Sequence, residues 1–237
     1  MKNTDSVKKK IEESAGFYNN FLNIDDKQLL YSFDTIKAHF KGSIALEIGP
    51  SNGAMTKLLK EEFKNLHVLE ASKQLLDEIP NYKNIVKYHN LIENFESNLK
   101  YDTIIMGHVL EHIADPIVAL KKIYSLLKED GIFLVSVPNA KSLHRMVAVE
   151  MGMLESEYEL NSRDIELGHY RVYDMSILEA HLEKSGFNID HMGGYFLKPL
   201  SNGQIENEWN DEMIEGYYKV GKHFQKNCAE IYAVCSK

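Results

Sequence analysis

No stretch of about eighteen apolar residues occurs in the 237-residue chain, so no transmembrane helix is expected. The N-terminus is polar and charged, without the apolar core of a secretory signal, which points to a cytoplasmic protein. Basic charge is in deficit too: the formal net charge is −8, and after Lys8-Lys9-Lys10 no long Lys/Arg run appears. That balance argues against nucleic acid or anionic lipid as a partner. Cysteine is nearly absent. The two present, Cys228 and Cys235, read as buried thiols in a reducing compartment rather than as a disulfide framework. Internal repeats and low-complexity tracts are missing as well, and no composition shift marks a domain boundary. One domain is therefore expected over residues 1–237, a length ample for a substantial core.

What is present is a regular alternation of short apolar strands and amphipathic helices. Strands are expected at 44–48, 67–70, 85–88, 101–106, 132–137, 187–191 and 230–235. Helices are expected at 54–64, 73–78, 116–128, 142–152 and 176–184. In the third of these, Ile117, Leu120, Ile123 and Leu127 share one face with Lys121 and Lys122 opposite, and Pro116 suits the first turn. Strands joined by single helices imply a parallel sheet covered on both faces. Residues 1–42 read as two amphipathic helices broken near Asn23–Asp25, with the aromatic, amide-rich Phe17-Tyr18-Asn-Asn-Phe21 as core packing or as a lid. Two long excursions remain. The acidic, irregular stretch 153–171 is a candidate lid, and 193–218, opening on Gly193-Gly194, holds the only tryptophan, Trp209.

The chemistry starts at Ile44-Ala-Leu-Glu-Ile-Gly-Pro-Ser-Asn-Gly53, a strand, a tight turn and a helix start. Gly49 lets the chain turn sharply, and Gly53 lets the helix begin close to both strand and ligand. In an open parallel sheet, ligands bind beyond the carboxyl ends of the strands. The second strand ends there in Glu70, twenty-three residues beyond Glu47. A carboxylate in that place suits the two hydroxyls of a ribose. A phosphate-binding loop would end in Gly-Lys-Ser/Thr, but Gly53 is followed by Ala54-Met55. A dinucleotide loop would read Gly-x-Gly-x-x-Gly, but here the glycines at 49 and 53 stand four apart.

With its acid inside the strand, Glu47-x-Gly49-x-x-x-Gly53 resembles the motif of class I S-adenosylmethionine-dependent methyltransferases, with Ser51 in place of a middle glycine. Gly107-His-Val-Leu-Glu-His-Ile-Ala-Asp-Pro116 resembles the His-Val-Leu-Glu-His signature of a subgroup that includes ubiquinone-type and sugar or antibiotic O-methyltransferases. Leu126-Leu-Lys-Glu-Asp-Gly131 matches a further family motif, and Gly168-His-Tyr-Arg-Val-Tyr173 extends the resemblance more weakly. The resemblance implies an α/β, Rossmann-like fold: seven mostly parallel strands, an antiparallel C-terminal strand, helices on both faces and a helical N-terminal lid. Its parts would be the lid (1–42), a cofactor-binding core (43–140), and substrate-side insertions with the last strands (141–237). It implies S-adenosylmethionine as cofactor and S-adenosylhomocysteine as product. Glu47, Gly49, Ser51 and Gly53 would line the methionine and ribose side, and Glu70 would take the ribose. Ala71, Leu91 and Ile92 would flank the adenine, near Glu93 or Asn90, and the backbone of Gly107 would approach the methionine moiety.

An alcohol or phenol acceptor must lose a proton, and histidine suits that task near neutral pH. His169 in the lid-like stretch is the first choice of base, with His112 and His108 behind it. Arg171 would suit a phosphate or carboxylate on the acceptor, supported by Tyr173. The plainer alternative has His169 and Arg171 pairing with Asp164 or Glu166 to fasten the lid. His108, Glu111 and His112 form a mixed set of ligand types competent for a transition metal, but they serve equally to tie the loop, and no metal is assigned. The expected partner is a small polar acceptor, such as a nucleotide-linked sugar or a phosphorylated precursor of a surface saccharide or secondary metabolite. A quinone precursor or a small-molecule amine is the alternative, as is a non-catalytic cofactor-binding subunit. A nucleic-acid methyltransferase would carry Asn/Asp-Pro-Pro-aromatic after the fourth strand, where Gly107-His-Val-Leu110 stands. A nicotinamide dehydrogenase lacks its glycine pattern here. The oligomeric state is open.

Overall fold

The computed structural model describes residues 23–237. The first expected amphipathic helix and the Phe17–Phe21 segment lie outside the described residues. Seven strands form one sheet in the order β3-β2-β1-β4-β5-β7-β6. They are β1 Ile44–Ile48, β2 Asn65–Glu70, β3 Ile85–His89, β4 Tyr101–Gly107, β5 Leu127–Pro138, β6 Asn188–Tyr195 and β7 Glu230–Ser236. All run parallel except β7, which is antiparallel to both β5 and β6. The α/β, Rossmann-like sheet expected from the sequence is therefore present, with its antiparallel C-terminal strand.

Alternation along the central strands splits the core into two layers. Leu46, Ile48, Ile104, Met106, Phe133, Val135, Ile231 and Ala233 face one side, against helices α4 (Pro116–Leu126) and α7 (Met175–Lys184). Ala45, Ile105, Ile132, Leu134, Tyr232 and Val234 face the other. There they meet α1 (Asn23–Ile36), α2 (Ala54–Glu62), α3 (Lys73–Glu78), and, from the second excursion, α8 (Asn202–Glu208) and α9 (Asp211–Gly221). A strand apolar at every position is what a sheet covered on both sides requires. α4 starts as its sequence dictates: Asp115 accepts from Val118 N, and Pro116 occupies the first turn where no donor is lost. Among the described residues no helix is long and apolar enough to cross a membrane.

Four segments differ from the pattern read off the sequence. β2 begins at Asn65, because His67 is buried and its Nδ1 meets Tyr101 Oη at 2.9 Å, so a polar residue belongs inside the strand. β5 begins at Leu127, pairing with Tyr101 before the register shifts, so the expected turn at Asp130-Gly131 is an irregularity within the strand. β6 runs through Gly193-Gly194. A Cβ at Gly193 would lie 2.8 Å from Tyr232 Cε1, and one at Gly194 would overlap the Gln225 carbonyl, so these glycines permit close approach within the strand, and the excursion begins after Tyr195. Within 153–171, α6 (Ser162–Leu167) forms after α5 (Leu143–Glu150), started by a capping box between Asn161 and Asp164.

Leu120 is fully buried on the inner face of α4. Leu120→Ala should lower unfolding stability by about 2–5 kcal/mol, seen as a shifted urea midpoint at constant m-value. A loss below about 1 kcal/mol would mean that α4 does not carry the core as described.

Candidate functional site

β1 lies between β2 and β4, so strand order reverses there and opens a crevice at the carboxyl edge. The turn leaving β1 is set by backbone demands. Gly49 has φ +68, and a Cβ on it would overlap Val109 Cγ2, so only glycine fits. Ser51 stands at φ 52, and its Oγ is buried without a hydrogen-bond partner among the described residues. Gly53, at φ 80, caps α2. One carboxylate knits this turn to the next strand: Glu70 Oε2 accepts from Ser51 N at 3.1 Å, and Oε1 from Ala71 N at 2.7 Å and Ser72 N at 2.9 Å. Glu47, 3% exposed, accepts a 2.6 Å hydrogen bond from Thr56 Oγ1. Burial pushes its pKa up to about 8 against that bond, with the Glu70 charge adding to the rise.

A cavity of about 970 Å³ runs along the crevice, near the top of the range for small-molecule sites. At one end its wall holds Glu47, Gly49, Ser51, Glu70, Ala71, Leu91 and Ile92. Gly107 lies midway, at the end of β4, and Asp25, Gln28 and Leu29 of α1 contribute to the wall. Of the cofactor residues picked from sequence, only Gly53 is not in the wall; its place is at the head of α2.

The far end sits over β4, β5 and β7. His169 follows α6, whose C-terminus Gly168 closes at φ 83. Its Nδ1 lies 3.2 Å from Asp164 Oδ1, and Asp164 Oδ2 is 3.1 Å from Arg145 Nη1. Burial opposes the charge on Asp164, but the His169 hydrogen bond, the Asn161 N–H and Arg145 outweigh it and hold its carboxyl below the usual range. Arg145 is itself tied down, giving Nε to Glu157 O at 2.9 Å and Nη2 to Glu159 O. Of the pairings that sequence offered as a lid fastening, His169–Asp164 is present and one from Arg171 to Asp164 or Glu166 is not, and the paired His169 also stands in the cavity wall. His112 packs edge-on against it with ring centroids 4.6 Å apart.

Arg171 is placed differently from the acceptor-binding expectation. It is absent from the cavity wall, and its guanidinium donates to the carbonyls of Ile113 and Ala114, fastening the loop after β4. Tyr173 is fully buried, with its hydroxyl 3.2 Å from His181 Nδ1. Trp209 also stands away from the cavity, stacked on Tyr217 at 4.4 Å. Among the described residues, Glu111, His112 and His169 are the group with metal-ligand spacing, their ligand atoms all within 4.8 Å. His108, the third member suggested by sequence, lies outside that group, with Nδ1 3.8 Å from Glu111 Oε1 and Nε2 3.4 Å from Glu230 Oε2.

Sequence reasoning missed His144, Arg163, Lys198 and Glu230, all in the wall. Lys198 is 8% exposed and donates to Asn202 Oδ1 at 2.7 Å; burial pulls its pKa down to about 8. Burial, with Lys198 and Arg145 adding, lowers His144 to about 3, so it is neutral. A signal existed for two of them. Lys198 interrupts the apolar run Tyr195-Phe-Leu-Lys-Pro-Leu200, and Glu230 opens an otherwise apolar strand as Glu47 lies within one.

A family model described as a methyltransferase domain matches residues 25–192, well over half of the chain. The chain belongs to the methyltransferase-domain family. This methyltransferase is 23% identical to a ubiquinone biosynthesis O-methyltransferase of Rickettsia felis, over 94% of this chain and 97% of the relative. It is 28% identical to a highly reducing polyketide synthase of Emericella nidulans over 65% of its own length, spanning only 7% of that much longer protein. Its fold is similar to that of a SAM-dependent methyltransferase of Thermotoga maritima, described as a possible histamine N-methyltransferase. The TM-score is 0.62 at 18% identity, covering 89% of each chain.

Glu47 gives this methyltransferase a pH signature. Between its ordinary value of 4.5 and about 8, the native state holds a proton that the unfolded state releases, so stability falls as pH rises through that window. Glu47→Gln should flatten the decline of Tm between pH 5 and 8 in the ligand-free protein. Equal slopes for the two proteins would show that Glu47 is already ionised when folded.

Proposed function

We propose that this enzyme moves the methyl group of S-adenosylmethionine to a hydroxyl of a small polar acceptor, releasing S-adenosylhomocysteine. The acceptor we favour is a nucleotide-linked sugar or another phosphorylated precursor of a surface saccharide or secondary metabolite, met in the cytoplasm. The observation that carries this is one continuous cavity, with the Gly49–Glu70 turn at one end and the Asp164–His169 pair at the other. Its residues suit the cofactor: the orphaned Ser51 hydroxyl awaits a partner, Gly49 leaves room for close approach, and Leu91 and Ile92 offer apolar contact. On this reading Glu70 takes the ribose hydroxyls, Ala71, Leu91 and Ile92 bracket the adenine, and Glu47, Gly49, Ser51 and Gly107 flank the methionine part. When bound, S-adenosylmethionine supplies an electrophilic sulfonium methyl.

The protein's own work is positioning and proton removal. Holding the acceptor in near-attack geometry lowers the barrier by prepaid entropy. His169 takes the acceptor's proton on Nε2, because Asp164 holds Nδ1 and so fixes the tautomer and the ring. His112 packs beside it and limits its rotation. Lys198 and Arg163, the latter also reaching Asp25 Oδ2 at 3.3 Å, supply cations in the wall for an acceptor phosphate, in place of Arg171. Phenolic methylation of a quinone precursor is the second reading, favoured by the relative from Rickettsia felis.

The test is methyl transfer from labelled S-adenosylmethionine to sugar nucleotides, phosphorylated sugars and a dihydroxybenzoate-type quinone precursor. Transfer to the last alone would overturn the sugar assignment, and cofactor binding without any turnover would favour a silent subunit. His169→Ala should lower kcat by about 10²–10⁴-fold while S-adenosylhomocysteine affinity holds. An unchanged kcat would remove His169 from the role of base.

A further inference from the structure

Two buried carboxyl groups at the far end of the cavity are not used by the chemistry above. Glu111 is 1% exposed and Glu230 5% exposed, and both are in the cavity wall. Both side-chain oxygens of Glu111 and Oε2 of Glu230 are buried with no hydrogen-bond partner among the described residues. A buried acceptor left unpaired is costly, and such groups in native proteins are nearly always satisfied by protein, water or ligand. His108 lies between the two, Nδ1 at 3.8 Å from Glu111 Oε1 and Nε2 at 3.4 Å from Glu230 Oε2, neither contact a hydrogen bond. It holds that place from a left-handed backbone, φ 55, with its own N–H given to Ser136 O at 2.9 Å. A non-glycine residue in that region is the kind of local strain found at functional sites. Gln28 of α1 takes the remaining oxygen of Glu230, Nε2 to Oε1 at 3.1 Å. So the lid side of the cavity and the β7 side meet at this pair.

We propose that Glu111 and Glu230 recognise neighbouring hydroxyl groups of a polyhydroxylated acceptor, each carboxyl engaging one hydroxyl. This rests on the reading that the far end of the cavity takes the acceptor. What the pair lacks is hydrogen-bond donors more than positive charge, because His108 and Lys198 already act on Glu230 and His108 on Glu111. That favours a neutral hydroxyl over an ammonium group. Burial also lifts Glu111 to about 7, so it is present in both protonation states near neutral pH. A hydroxyl both donates and accepts, and so serves either state, whereas an ammonium only donates. The two carboxyls come from different parts of the chain, the loop after β4 and the first residue of β7. They therefore read the shape of the acceptor as well as its chemistry.

The experiment is calorimetric titration of the S-adenosylhomocysteine-loaded protein, with EDTA present. The probes are UDP-glucose, UDP-galactose, GDP-mannose and dTDP-glucose, each against its free nucleoside diphosphate, and spermidine and ethanolamine as amines. At least one sugar nucleotide should bind tighter than its free nucleotide, and Glu111→Gln and Glu230→Gln should each weaken that binding about 10–100-fold. Affinity for the free nucleotide and for S-adenosylhomocysteine should hold in both variants, which also shows that they fold. If S-adenosylhomocysteine binds but no sugar nucleotide outcompetes its nucleotide, the hydroxyl assignment is wrong while the cofactor reading stands. Glutamate-dependent binding of an amine alone would overturn it in favour of an amine acceptor. Sugar binding that returns only when magnesium or zinc replaces EDTA would show that the carboxyls act through a metal, again against the proposal. Failure to bind S-adenosylhomocysteine would instead strike the underlying function.

Discussion

A single carboxylate holds the architecture of the cofactor end together. Glu70, at the tip of β2, accepts three backbone N–H groups, from Ser51 in the turn after β1 and from Ala71 and Ser72 after its own strand. Charge-assisted bonds of this kind are among the stronger ones a protein makes. Their effect here is to hold two loops at the carboxyl edge in one mutual register, although those loops share no strand pairing. The constraints on Gly49 and Ser51 follow. A chain pulled toward Glu70 must turn within a few residues, and it does so through left-handed conformations at Gly49, Ser51 and Gly53.

Beyond that tie, the carboxyl edge collects buried ionisable groups that a purely structural sheet would not need. Glu47, Glu111 and Glu230 are all pushed up by burial, while Lys198 and His144 are pulled down. The common cause is desolvation within the concave wall of the cavity. The opposite treatment is given to Asp164, whose charge is maintained by His169, Asn161 and Arg145. One acid is thus kept ionised beside a histidine, while burial disfavours the charge on Glu47, Glu111 and Glu230. Environment separates their charge states, since the side chains themselves differ little.

Legibility in the sequence followed the range of the interaction. The strand–turn–helix at 44–54 and the helix beginning at Pro116 depend on neighbours within a few positions, where apolar periodicity and glycine spacing speak directly. Glu70 was readable because it ends a strand that periodicity reveals, and Leu91 through the family resemblance alone. The loop residues Glu111 and His112 were readable through a motif, though their partners were not. Arg171 was misjudged: an arginine beside a histidine in a lid suggests a ligand, yet two carbonyls of the neighbouring loop claim it. Gly193-Gly194 was read as the start of an excursion because nothing local reveals that Tyr232 and Gln225 press against them inside a strand.

By itself the sequence determined the strand–helix alternation, the glycine turn and its acid, and hence an open sheet with a cofactor-type crevice. These rest on backbone preferences and on apolar patterns of short period. Only the tertiary structure decided that His169 is partnered by Asp164, that Lys198 is buried at the crevice, and that Glu230 comes to face His108 and Glu111. Glu230 stands 119 positions from Glu111, and no periodicity operates over such a distance. Pairing β7 antiparallel between β5 and β6 brings the start of that strand to the carboxyl edge, where an acid at the head of an apolar strand enters the cavity wall.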